Sequence, residues 1–140
     1  MKNSHALLKP MFRILLAVLM IADGILHFWA METFMTIMPA YLPWHREWVL
    51  ISGVAVIFGG IGLLIPVTRS VAGIALIVLY AAVLPANINM AVNNIQPANF
   101  DIPPVLLWLR LPLQLVIMAW AWWVSRPEAK PTLGVRLARK

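Results

Sequence analysis

Four stretches of about twenty apolar residues, separated by proline-containing breaks, constrain this chain more than any other feature. They run roughly 11–31, 48–65, 70–90 and 105–124. Crossing a bilayer's hydrocarbon takes about 20 apolar residues as a helix, because the backbone must satisfy its own hydrogen bonds there. With 62% hydrophobic and 11% charged residues in 140, the chain carries more apolar material than a small water-exposed core can bury. The expected fold class is all-α: an integral membrane four-helix bundle, residues 1–140 forming a single transmembrane domain with short basic tails at 1–10 and 126–140. Lys2 and Lys9 before an apolar run resemble a signal peptide, but the run is too long and lacks a small-x-small cleavage site, so it reads as a retained helix.

Orientation follows from charge. Nine of the eleven basic residues fall before or at the start of the first stretch (Lys2, Lys9 and Arg13), in the turn holding Arg69, or after the fourth, so both termini are expected on the cytoplasmic side of a bacterial inner membrane. Tryptophans agree: Trp29, Trp44, Trp48 and Trp108, with Tyr41, mark the outer interface, and Trp120, Trp122 and Trp123 the inner one. The net charge of +6 is therefore read as topology, and nucleic acid is not an expected partner. Without cysteine, thiolate metal sites, iron–sulfur clusters and thiol relays are excluded.

Ionisable and amide groups inside apolar helices normally turn inward and find partners. Asp23 and His27 are i,i+4 on the first helix, Arg110 and Gln114 are i,i+4 on the fourth, and Asn87 sits two residues past Pro85 on the third. At 1.5 Å per residue Asp23 and Arg110 lie at levels within a few ångströms, which predicts an Asp23–Arg110 ion pair in the outer half of the bundle. Pro85 and Pro112 strand the carbonyls of Ala81 and Trp108 at similar depth, adding backbone polarity. These residues serve either to lock helix register or to bind a ligand and handle protons. Glu32 and Glu47 read as solvated flanks, and the small residues around Gly53 and Gly59 as helix packing. The segment from Met38 to Trp44 fits either a docking loop for a partner or a lid over the polar cluster.

The segments Gly24-Ile25-Leu26-His27-Phe28, Ile37-Met38-Pro39 with Leu42-Pro43, Ser52-Gly53, Gly59-Gly60-Ile61-Gly62-Leu63-Leu64, Pro85-Ala86-Asn87-Ile88-Asn89-Met90 and Arg110-Leu111-Pro112-Leu113-Gln114, in that order, resemble the DoxX-like family of small bacterial membrane proteins. The resemblance covers about residues 11–125 and implies a four-helix membrane domain associated with redox systems, one relative being a subunit of a membrane thiosulfate:quinone oxidoreductase. Many relatives carry a glutamate in the second helix after Ser-Gly, where this chain has Val56, so any role of that acid is lost here or moved to Asp23.

The leading expectation is a redox-associated, quinone-interacting subunit, with no covalent cofactor and a bound quinone. Arg110, Gln114, His27 and Asn87 would supply hydrogen bonds, Asp23 and His27 a proton route, and a partner oxidoreductase the electrons. Haem does not fit, because His5 and His45 lie outside the helix interiors, and no metal site is expected. Two other classes compete: a small-solute transporter or permeability factor, which would require a homodimer, and a non-catalytic assembly subunit.

Overall fold

In a computed structural model of the protein, residues 4–97 and 101–127 are described. There are five helices: α1 (Ser4–Trp29), α2 (Met31–Thr36), α3 (His45–Leu64), α4 (Arg69–Val92) and α5 (Pro104–Ser125). Four of them are long and apolar enough to cross a membrane. The fifth, α2, is a six-residue helix inside what composition alone marks as the first connection. Helix α1 also begins earlier than the apolar run expected from residue 11, passing through Pro10. The expected tail residues Lys2, Lys130, Arg136, Arg139 and Lys140 lie outside the described residues.

The long helices run up-down-up-down, and cross-contacts give the register. Gly24 faces Gly53 and Ile57 while Ala17 faces Gly60, so α1 and α3 are antiparallel and cross with their backbones nearly touching. Gly59 meets Leu76 and Gly62 meets Ala72, setting α3 against α4, and the turn at Pro66–Thr68 joins them. Asn87 meets Gln114, and Gly73 meets Ser125, setting α4 against α5. Phe12 closes the ring of helices by edge-on contacts with Trp120 and Trp123 of α5.

A core of Leu16, Met20, Val56, Leu63, Leu76 and Val124 fills the half of the bundle near the start of α1. A smaller cluster of Ile37, Met90, Ala91 and Leu107 fills the opposite end, where α2, set against α3 and α1, brings Phe34 onto it. No more than 33% of any of the four apolar stretches is buried inside the protein. The outward remainder, including Ile14, Val18, Phe58, Val71 and Val116, is far larger than the apolar patches that water-exposed monomers tolerate, and a bilayer is the surrounding that suits it.

Helix ends are closed by side chains from neighbouring helices. The last carbonyls of an α-helix have no partner within it. At the end of α5, Arg13 Nε donates to Val124 O at 3.0 Å, Lys9 Nζ to Arg126 O at 2.8 Å, and Ser70 Oγ to Ser125 O at 3.2 Å. At the end of α3, Thr68 Oγ1 donates to Gly62 O and Arg69 Nε to Leu63 O. Basic residues read from sequence as topology markers are therefore also caps, placed where the helix dipole favours cations. Helix α4 instead ends in a Schellman turn, with Asn94 left-handed (φ 48°) and Ile95 N donating to Met90 O.

Candidate functional site

Between the two clusters, α1, α3, α4 and α5 leave a cavity of about 170 Å³. At about 30 Å³ per water that is room for roughly six. Its lining includes all five residues singled out in the sequence: Asp23, His27, Asn87, Arg110 and Gln114. Inward-turning polar groups on α1, α4 and α5 thus meet around one cavity, as matched depth demands.

Their partners differ from expectation. No ion pair within 4 Å joins Asp23 to Arg110 among the described residues. The Asp23 carboxylate instead faces the hydroxyl of Tyr80, whose Oη lies 3.4 Å from Oδ2 and 3.3 Å from Met20 Sδ. Arg110 Nη1 has a sulfur contact, Met90 Sδ at 3.9 Å. Spacing fixes the depth of a side chain but not its azimuth, and it is Tyr80 that meets the Asp23 carboxylate. Removing either charge therefore does not strand a contacting partner, and the stability coupling that a direct pair implies is not expected.

His27 is 9% exposed, and its Nδ1 lies 2.8 Å from the backbone carbonyl of Asp23. It is thus held by the Asp23 backbone, not by the carboxylate. A carbonyl oxygen only accepts, so Nδ1 carries a proton and is the donor. The ring is stacked on Phe34 of α2, with centroids 4.0 Å apart.

The two amides form a chain whose sense is fixed at one end. Gln114 Nε2 donates to the Tyr80 carbonyl at 2.5 Å, so Oε1 turns towards Asn87 and accepts from Asn87 Nδ2 at 2.7 Å. The carbonyl used is one residue before Ala81, whose oxygen Pro85 deprives of its helical donor. Asn87 is 5% exposed, and its Oδ1 is left without a partner. Such an atom is costly in a low-dielectric interior unless something donates to it.

Sequence reasoning missed three contributors. Tyr80 was indistinguishable from an interfacial aromatic, although a phenol in mid-helix, seven residues from Asn87 on the same face, is itself a signal. Phe34 and Ile37 line the cavity from α2, a helix that composition hides in a loop. Of the Met38–Trp44 segment, Met38 and Leu42 line a second cavity next to this one, while Tyr41 and Trp44 are 76% and 72% exposed. Val56 also lines the cavity, so Asp23 is its acid. Glu32 and Glu47 are exposed, outside it.

A second cavity of about 330 Å³ adjoins the first and shares His27, Phe34, Ile37, Ser52, Leu79 and Val83 with it. Trp48, Ile51, Ala82 and Ala86 add its outer wall between α3 and α4; the first three are exposed on the flank of the bundle and Ala86 is half-buried. The site therefore has two chambers: one carries Asp23, Arg110 and the amides, and the other is almost wholly apolar and reaches the side of the protein.

Residues 16–125 match the family described as a domain of unknown function (DUF8561). No curated protein and no solved structure matches the chain.

Proposed function

The chain belongs to that family, and we propose that it is a redox-associated protein of the bacterial inner membrane that binds a quinone, headgroup in the polar chamber and tail in the apolar one. The observation that carries this reading is the junction of the two chambers: a ligand with a polar ring and an apolar tail fills both, and a small polar solute does not. Arg110 faces the cavity with a guanidinium whose nitrogen contact is to a thioether, leaving charge-bearing N–H groups for a quinone carbonyl oxygen. The flank between α3 and α4 lets such a ligand arrive from the bilayer. The resemblance to DoxX-like proteins points the same way.

On this reading both termini lie in the cytoplasm. Lys9, Arg13, Arg69 and Arg126 gather at one end of the bundle, the end that the positive-inside tendency assigns to the cytoplasm. The two-chambered site then lies in the half nearer the opposite surface. With no electron donor among its side chains, the protein would work with an oxidoreductase partner, and Asp23 with Tyr80 is the pair suited to pass a proton. A transport role is weaker, because below the cavity the interior is filled by Leu16, Leu63, Leu76 and Val124, each no more than 1% exposed. An assembly role alone leaves the built cavity without use.

Purified protein is expected to carry quinone extracted from the membrane, detected by mass spectrometry. Arg110→Ala is expected to lower that content at least tenfold, losing a charge-assisted hydrogen bond. Trp44→Ala, at an exposed residue outside both chambers, is expected to leave it unchanged. Fully folded wild-type protein free of quinone would remove the proposal.

A further inference from the structure

At the end of the bundle where the basic residues gather, across the main core from the two chambers, we infer a binding site for the phosphate of an anionic phospholipid. Lys9 of α1 and Arg126, just past α5, form it. The site is independent of the quinone reading.

Two cations are brought together there by a contact that neutralises neither. Lys9 Nζ lies 2.8 Å from the backbone carbonyl of Arg126, using one of three ammonium hydrogens. The Arg126 guanidinium sits over the Trp122 ring, 3.6 Å from its centroid, and donates no hydrogen bond to any described residue. An aromatic face holds a cation in place without consuming its N–H groups, so Arg126 is positioned with donors to spare. Arg13, bound to the Val124 carbonyl, adds a third positive charge. The described acids supply no counter-ion: Glu32, Glu47 and Asp101 lie towards the opposite end of the bundle, and Asp23 stands about 15 Å further along α1 than Arg13.

Part of this charge serves α5 itself, whose negative end attracts Lys9 and Arg13. Capping does not account for Arg126, whose side chain turns back onto Trp122 and reaches no described carbonyl. The surface beside the cations is apolar in the direction an acyl chain takes. About one turn into the bilayer from Lys9 stands Phe12, and about one turn back from Arg126 stand Trp122 and Trp123. Phe12 and Trp123 meet edge-on across the seam between α1 and α5, and all three rings are exposed. A free phosphate uses the cations alone. A phospholipid uses both features, its phosphodiester between Lys9 and Arg126 and an acyl chain over the aromatic seam. The choline of a zwitterionic lipid is repelled by the same three charges, so a headgroup of net negative charge is selected.

The test is native mass spectrometry of the delipidated full chain in a neutral detergent, titrated separately with phosphatidylglycerol and phosphatidylcholine. Phosphatidylglycerol is expected to bind about tenfold more tightly, and the double variant Lys9→Ala, Arg126→Gln to lose most of that preference. Arg136→Ala with Arg139→Ala, an equal loss of charge outside the described residues, is expected to keep it. Excess inorganic phosphate is expected not to displace the lipid. Equal binding of the two lipids, or the same loss from both double variants, would overturn the site; displacement by inorganic phosphate would reduce it to an ion site and overturn the lipid assignment. Arg126→Gln alone, at an exposed residue past the helix, decides if the double variant does not fold.

Discussion

Gly24→Val is expected to leave no stably folded protein, and Gly24→Ala to lose about 1–2 kcal/mol. At Gly24 a Cβ would lie 2.7 Å from the backbone oxygen of Gly53 and 2.5 Å from Ile57 Cγ1. The isoleucine tip can turn away; the carbonyl cannot move without displacing α3. Alanine gains about 1 kcal/mol of helix propensity over glycine, and overpacking a tight interior costs about 1–3 kcal/mol, so the clash outweighs the gain. Valine adds two methyl groups with almost no rotameric relief and forces the helices apart. The effect also reaches the site, because Gly24 lies between Asp23 and His27, and at Gly53 a Cβ would press on His27 Cβ at 2.8 Å. Thermal unfolding in detergent, followed by tryptophan fluorescence, checks both variants. A Gly24→Ala protein more stable than the wild type would mean that α1 and α3 do not approach this closely.

Arg13→Leu is expected to cost about 2–3 kcal/mol, although Arg13 lies far from the cavity. The side chain is 6% exposed and donates to the Val124 carbonyl at the end of α5. Its loss leaves a buried C-terminal carbonyl without that partner and removes a cation from the negative end of the helix dipole. Arg13→Lys should recover part of the loss through the retained charge. Lys9→Ala should cost under about 0.5 kcal/mol, since its bond to Arg126 O is exposed. The same unfolding measurement ranks the three; equal effects of Arg13→Leu and Lys9→Ala would show that the capping of α5 is not what Arg13 contributes.

These two positions also show how far the sequence could be read. Helices long enough to cross a membrane were legible because apolar runs of that length have few alternatives, and Asp23, His27, Asn87, Arg110 and Gln114 stood out because polar groups in such runs are expensive. Their shared depth was legible from the constant rise of a helix. Their partners were not: Tyr80 meets Asp23, and Met90 meets Arg110, because of side-chain reach and azimuth, which residue spacing does not encode. Helix α2 was hidden because six residues carry too little periodicity to distinguish a short helix from a proline-flanked loop, yet it brings Phe34 onto His27. Arg13 was counted only as a charge near a boundary, since nothing in the chain around it announces a carbonyl 111 residues away.

A tailed ring that enters from the flank between α3 and α4 and comes to rest against Arg110 should be caught in place by photolabelling with a quinone bearing an azido group on its tail, the modified residues being mapped by mass spectrometry in membranes. Adducts are expected around Trp48–Ser52 of α3 and Ala82–Ala86 of α4, displaced by unlabelled quinone and absent from Arg110→Ala. Label spread over the outward faces of α1 and α5, for example at Val18 and Leu115, and insensitive to competitor, would contradict it.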